Sequence, residues 1–474
     1  MKKAFGFLVT FVFALILIGC VKEDNRIVIR YANWNLGTAE SIDSNMERLM
    51  IKAFMEEYPE IKVEIIERPK IPGTNDDVGW TDFLAGRASV KNLPDVYMGD
   101  NIPYYVIQDW AYNITDLVSE DEEFLNISSD IRDVITYDGK VMAIPAAVFY
   151  AGYVVNQTLY NNRYQDYPTI NSTFDELISV TKAAANHASN NNTGVVGLEG
   201  IEHLLHWYPA QLNEDYSWFT LAADGFHLNS PEFATTMETY RILHTDSTFV
   251  WEALIEEMLK EDSNIDFGNI FPEGSQFDNG NILCKWFYSW DFGSIQTRIN
   301  SGEYDWNMDF IGTPIVNDNK RVPIVADFFA IASNTKHPEE AYLLAKWMGF
   351  GKVGYEKRIS LSKTVSGVNQ VNFPPIQVDE DLLDQYFTLY PSFPGLRVII
   401  EAGKVIVEPT KYLPGYDDAR YKGSYDTEHT MYQIIEQLRV GNVLLADIAE
   451  QLNSRVNALY NDAKSDFDAA IAQR

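Results

Sequence analysis

Two short stretches carry side chains suited to recognition chemistry: Trp34-Asn35 and Asp100-Asn101. A flat aromatic ring meets the C–H face of a small solute, and an amide or carboxylate beside it meets hydroxyls on the edge. That pairing suits reversible binding of a small polar solute. Catalytic signatures are missing by comparison. Neither the zinc-protease pattern HExxH nor the serine-hydrolase pattern GxSxG occurs. A secreted glycoside hydrolase would need two carboxylates across a scissile bond, but with 68 acidic residues such pairs are unavoidable and identify nothing. The run Gly349 to Gly354, GFGKVG, matches a dinucleotide-binding pattern but follows a helix, so it reads as a helix stop and chain crossing. His203 and His206 in EHLLH share a helix face beside Glu202, and packing or surface roles outweigh metal binding there.

The elements that must position these residues alternate between strand and helix. RIVIRY, Arg26 to Tyr31, alternates polar and apolar residues as a strand does, and Trp34 follows it in a loop. Ser44 and Glu47 form the pattern of a capping box, and Met46, Leu49, Met50, Ala53 and Phe54 then fall on one helical face. Tyr58-Pro59 ends that helix, and IKVEIIE is a second strand, so the unit predicts two parallel strands with a helical crossover. WTDFLAGRASV predicts a helix and PDVYMGD a short strand that delivers Asp100. Asp138-Gly139 predicts a tight hairpin turn, AAVFYAGYVVN a further strand, and STFDELISVTKAA a helix from a Ser/Thr cap. HPEEAYLLAKWMGFG predicts a helix between Pro338 and Gly349, and a last helix is predicted over about 443–461 with Leu445, Ile448, Leu452, Val456 and Leu459 inward.

The beginning of the chain has a different logic. Lys2 and Lys3 precede the apolar run AFGFLVTFVFALILI, then Gly19 and Cys20, after which the sequence turns charged. This is the layout of a secretory signal, too short for a permanent membrane helix. LIGC resembles the lipobox of bacterial lipoproteins, which implies a signal peptide over residues 1–19, lipidation of Cys20 and a tether over residues 20–25. Removing residues 1–19 takes Lys2 and Lys3 from 37 basic residues, leaving 35 against 68 acidic ones, a formal charge of −33. Such a body is repelled by phosphate, which argues against nucleic acid and anionic lipid as partners. Cys284 is the one other cysteine, so a disulfide framework is excluded.

FMEEYPEIKVEII, LPDVYMGD, NITDLV, DGKVMAIPAAVFYAGYVVNQTLY, TFDELISVTKAA, ILCKWFYSWDFGSI and FFAIASNTKHPEEAYLLAKWM occur in an order that resembles the extracellular solute-binding proteins of bacterial ABC importers, most closely the carbohydrate-binding branch that includes maltose-binding protein. The resemblance implies an α/β fold of the periplasmic-binding-protein type: two α/β lobes joined by a three-crossing hinge, with the ligand cleft between them. Carried onto this sequence, the crossings fall near Pro145 to Val148, Phe310 to Pro314 and Gly349 to Gly354. The N-terminal lobe is then residues 21–145 plus 312–350, and the C-terminal lobe residues 147–310 plus 352–474.

The same resemblance adds site residues. Phe149 and Tyr150 match a ligand-contact position, although the maltose-binding members carry a glutamate where Phe149 stands. Trp290 matches a tryptophan that stacks on sugar, and Asp291 stands beside it. The implied protein is a lipid-anchored monomer on the outer face of the cell membrane that hands a sugar or oligosaccharide to an ABC permease, without catalysis, cofactor or metal. The negative field keeps a peptide, polyamine or other cationic cargo open as an alternative, and a surface adhesin or sensor that no longer transports is another.

Overall fold

The computed structural model describes residues 25–37, 43–365, 371–423 and 425–474. Cys20 and the signal segment lie outside the described residues. No described helix is long and apolar enough to cross a membrane.

The alternating residues Ile27–Ala32 form strand β1, helix α1 spans Met46–Glu57, and β2, Ile61–Ile65, pairs parallel to β1 with Ile27 opposite Ile61. The cap differs by one residue from the expected capping box. Asn45 is the N-cap and its side chain accepts from the Arg48 N–H, so Ser44 lies one position outside it. Helix α2, Trp80–Ser89, leads to β3, Val96–Gly99, which also pairs parallel to β1. The short helix α3, Ile102–Ile107, follows. Three parallel strands thus end together, and the loops after Ala32 and Gly99 open at their carboxyl ends, where such sheets bind ligands.

Strand β4, Ile144–Asn156, is thirteen residues long and buried throughout. Its unbroken apolar run reflects cover on both faces. Pro145 does not start this strand but sits inside it, at a bulge where Asp327 pairs with Ala147 and Phe328 with Pro145. A proline lacks the ladder N–H, and a bulge is where a sheet tolerates one. Beyond it come β5, Val196–Glu199, and β6, Ile282–Tyr288, which is antiparallel to β4. Helix α4 is Phe292–Asn300, and β7 is Met308–Gly312. Strand β8, Val322–Ile331, is antiparallel to both β3 and β4. Helices α5, Pro338–Met348, and α6, Lys352–Thr364, form a corner, β9 is Val405–Val407, and α7 is Leu445–Ile471.

The result is one curled sheet of nine strands, in the order β2-β1-β3-β8-β4-β6-β5, with β7 on β4 and β9 on β8. Strand β4 exchanges partners along its length. Ile144 to Tyr150 face β8, whereas Ala151 to Val155 face β6. Buried residues form two clusters. The larger holds Ile29, Phe54, Val96 and Phe328 and extends to Phe292 and Phe310; the smaller holds Tyr153, Trp207, Cys284 and Trp286. Cys284 is fully buried, and burial pushes its thiol pKa up, which leaves it protonated and inert.

Two placements differ from the sequence reading. Helix α6, assigned there to the C-terminal lobe past a crossing at Gly349 to Gly354, packs against α1: buried Arg358 donates to Glu47 and to the Met348 carbonyl. Gly349 and Gly354 instead permit the tight α5–α6 corner, since a Cβ on Gly354 would lie 2.0 Å from the Trp347 carbonyl oxygen. Helix α7 runs ten residues past the expected end, and Leu445 and Leu459 are only half-buried. Its inward stripe is Ile448, Leu452, Val456, Tyr460, Phe467 and Ile471. The first four belong to the smaller cluster and the last two to the larger, so this helix spans both.

Candidate functional site

The principal cavity has a volume of about 830 Å³ and opens where the loop after β1, the start of α1, β4, β8 and α4 converge. On one side stand Asn33, Asn35 and Glu47, on another Trp290, Ser294 and Arg298, with Ala147, Phe149, Asp327 and Phe329 between them.

Trp290 sits in the turn Ser289–Asp291 between β6 and α4 and is 40% exposed. Its indole stacks on Tyr288 with ring centroids 4.1 Å apart and planes 6° from parallel, which covers one of its faces, and Trp290 lines the cavity. Phe149 stands 5.4 Å away with its ring plane at 70°, and Phe373 closes on Phe149 at 6.3 Å and 80°. The rings therefore form a floor with a wall set across it. The turn is tied to β4 by the Tyr150 N–H, which donates to buried Ser289 Oγ at 3.0 Å.

The charges on the cavity wall are paired. Glu47 accepts from Arg358, whose guanidinium also lies over the Phe373 ring at 5.2 Å. Asp327 accepts from Lys411 Nζ. Arg298, at the rim, pairs with Asp278 at 2.7 Å and Glu303 at 3.5 Å. Amides supply neutral polarity. Asn33 Nδ2 donates to the Tyr31 hydroxyl at 2.8 Å while its Oδ1 accepts from the Asn35 N–H at 2.7 Å, and Asn45 Nδ2 donates to the Asn35 carbonyl. These bonds hold Asn33 and Asn35 in place before any ligand arrives.

Of the residues expected at the site, Asn35, Phe149 and Trp290 line the cavity. The other five are held elsewhere. Trp34 packs edge-on against Trp80 at 5.3 Å. Asp100 accepts from the hydroxyls of Tyr105 and Thr81, and Asn101 caps α3 by accepting from the Tyr104 N–H. Tyr150 is buried, with its phenol pKa raised by desolvation, and Asp291 is half-buried with a carboxyl pKa likewise raised by burial. Polar residues at strand ends satisfy backbone and neighbouring groups as readily as ligands, which accounts for Asp100 and Asn101. The sequence reading missed Asn33, Glu47, Asp327, Arg358 and Phe373. A signal existed for Asp327, an isolated acid inside the apolar strand PIVADFFAI, because a buried charge demands a partner or a function. The pairing of Glu47 with Arg358 joins residues 311 apart and had no local signal.

His203 and His206 stand with Nδ1 atoms 3.4 Å apart, stacked on Trp286 and Trp218 respectively. Among the described residues no group of three or more His, Cys, Asp or Glu side chains is placed to hold a metal ion.

Comparison with solved structures finds this architecture in sugar-binding transport proteins. An ABC substrate-binding protein from Listeria monocytogenes in complex with cycloalternan is 17% identical, with a TM-score of 0.59 over 91% of this chain and 98% of that one. A sugar transporter protein from Rhizobium etli in an open conformation is 15% identical, with a TM-score of 0.65 over 91% and 99%. The cyclic α-maltosyl-1,6-maltose binding protein from Arthrobacter globiformis is 14% identical, with a TM-score of 0.62 over 92% and 100%. At these identities the likeness establishes the fold, which is of the periplasmic-binding-protein type. No match was found among curated proteins. The family model of the bacterial extracellular solute-binding proteins matches residues 38–350, more than half of the chain. The chain belongs to the bacterial extracellular solute-binding proteins.

Proposed function

We propose that the protein binds an uncharged oligosaccharide in the cavity lined by Trp290 and delivers it to the permease of an ABC importer. The observation that carries this reading is the ring corner of Trp290 and Phe149 in a cavity whose wall charges are paired internally. An indole face suits the C–H face of a pyranose, and the amides and paired charges suit its hydroxyls without attracting an ion. A cationic cargo is disfavoured by the same pairing: the overall negative field reaches the molecule's surface, but Glu47 and Asp327 already hold Arg358 and Lys411. The three solved relatives described above bind or transport sugars by their own descriptions, which supports the cargo class.

On this reading two lobes meet around the cavity and the chain crosses between them within β4; the change of pairing partner there, from β8 to β6 at Tyr150 and Ala151, supports such a crossing. A ligand that touches both lobes only when they are shut shifts the population toward the shut form, which is the shape a permease reads. A micromolar dissociation constant needs about 8 kcal/mol, within reach of a few hydrogen bonds at about 1 kcal/mol net each plus the buried ring faces. Lipidation of Cys20 holds the protein at the membrane where the permease lies.

A thermal-shift screen against neutral oligosaccharides, with spermidine and short peptides as comparison, tests the cargo class. Stabilisation by a neutral glycan alone supports the reading. Stabilisation by spermidine or a peptide alone contradicts it.

A further inference from the structure

Trp290 offers the cavity one face because the other is taken. The Tyr288 ring that covers it does not line the cavity. Tyr288 is the last residue of β6, held in the ladder opposite Ala151, and its ring meets His203 edge-on at 5.9 Å and 88°. His203 in turn lies flat on buried Trp286 at 4.7 Å and 19°. A continuous file of rings thus runs from the core to the cavity. Trp290 itself sits in a short turn and is the most exposed member of the file. Without its neighbour the indole would turn about its side-chain torsions, and a ligand would have to order it on binding.

We infer that Tyr288 is a positioning residue: by stacking on the back of Trp290, and being braced by His203, it fixes the single indole face that a ligand meets. The inference rests on the reading of Trp290 as the ligand's platform. A ring backed at 4.1 Å is closed to any ligand from behind, so a sugar is accepted from one side only, with Phe149 limiting its extent across the floor.

The experiment uses the whole protein labelled with 5-fluorotryptophan. The Trp290 resonance is identified by its loss in Trp290→Phe. Tyr288→Phe retains the stacked ring and leaves that resonance in place. Tyr288→Leu retains apolar bulk without a flat ring and shifts and sharpens the Trp290 resonance; Tyr288→Ala does so more strongly if it folds. A Trp290 resonance that stays in place in Tyr288→Leu overturns the inference, whatever the ligand. The second arm measures maltotetraose affinity by calorimetry. Tyr288→Phe binds as the wild type does, and Tyr288→Leu binds about three- to tenfold more weakly, the worth of one stacked aromatic pair. In a Trp290→Ala background Tyr288→Leu changes nothing further. An equal loss in that background also overturns the inference, because Tyr288 would then act without Trp290. A shifted resonance with unchanged affinity for a bound glycan supports the positioning and contradicts the platform reading instead.

Discussion

The guanidinium of Arg358 in α6 closes on the carboxylate of Glu47 in the first turn of α1, and both side chains are largely buried, at 4% and 14% exposure. This pair joins two distant parts of the chain at the cavity wall. Arg358→Met fills the same space but leaves Glu47 as an uncompensated charge, which costs about 3–5 kcal/mol. Urea denaturation measures it as a lowered midpoint. Adding Glu47→Gln to the same protein recovers part of the loss, since the orphaned charge is then removed.

Lys411 and Asp327 give a second, chemically distinct test. Lys411→Met frees the Asp327 carboxylate on the cavity wall. The account expects no spermidine binding in the wild type and measurable binding by calorimetry in the variant, weakening with salt as an ion pair does.

The stacked histidines set an acid limit on stability. Burial holds the His203 and His206 pKa values below the ordinary histidine range, and for His206 the neighbouring His203 and Arg420 lower it further. The unfolded chain takes up protons near pH 6.5 while the folded chain declines them, so stability is full above that pH and falls as pH drops below it. His206→Phe keeps a flat ring on Trp218 and removes the titration. Melting temperatures from pH 7.5 to 5.0 should therefore decline less steeply for His206→Phe than for the wild type.

Glu252 works in the opposite sense. It is half-buried, accepts from the Gly200 N–H at 2.6 Å and lies beside Glu202, so desolvation and then the Glu202 charge raise its pKa above the ordinary carboxylate range. The folded state holds a proton that the unfolded chain releases near pH 4.5, and stability is lost as pH rises from there through the folded pKa. Glu252→Gln keeps the acceptor and supplies an N–H toward Glu202. It should raise the melting temperature at pH 8 and leave it nearly unchanged at pH 4.5.

Much of this architecture was legible in the sequence because it is local. The apolar spacing of Met46, Met50 and Phe54 fixed the face of α1, and Asp138-Gly139 fixed its hairpin through positive φ at both residues. Ser44 and Asn45 are both good caps one position apart, so the choice between them was set by tertiary fit. The end of α7 was misplaced although its stripe continues through Phe467 and Ile471, because those residues pack on a different cluster from Val456 and Tyr460. There Tyr137 meets Phe467 at 4.9 Å and Lys140 Nζ caps the Ile471 carbonyl at 2.8 Å, contacts no local pattern announces. The site divided along the same line. Polar residues just past an apolar run mark a strand end correctly at Trp34-Asn35 and Asp100-Asn101, but whether the side chains turn to a cavity depends on Trp80 and Tyr105. Trp290 was named from the resemblance and its stack on Tyr288 is local, but the cavity it lines is completed by Asn33, Glu47 and Arg358, which are far from it in sequence.

The most direct test of the central claim is calorimetric titration of maltotetraose and cycloalternan into the wild-type protein and Trp290→Ala. Because the indole is 40% exposed, the substitution should leave the fold intact, which its melting curve checks. The account predicts binding of a neutral glycan by the wild type and at least a tenfold weaker dissociation constant in the variant. Equal affinity in the two proteins would contradict it.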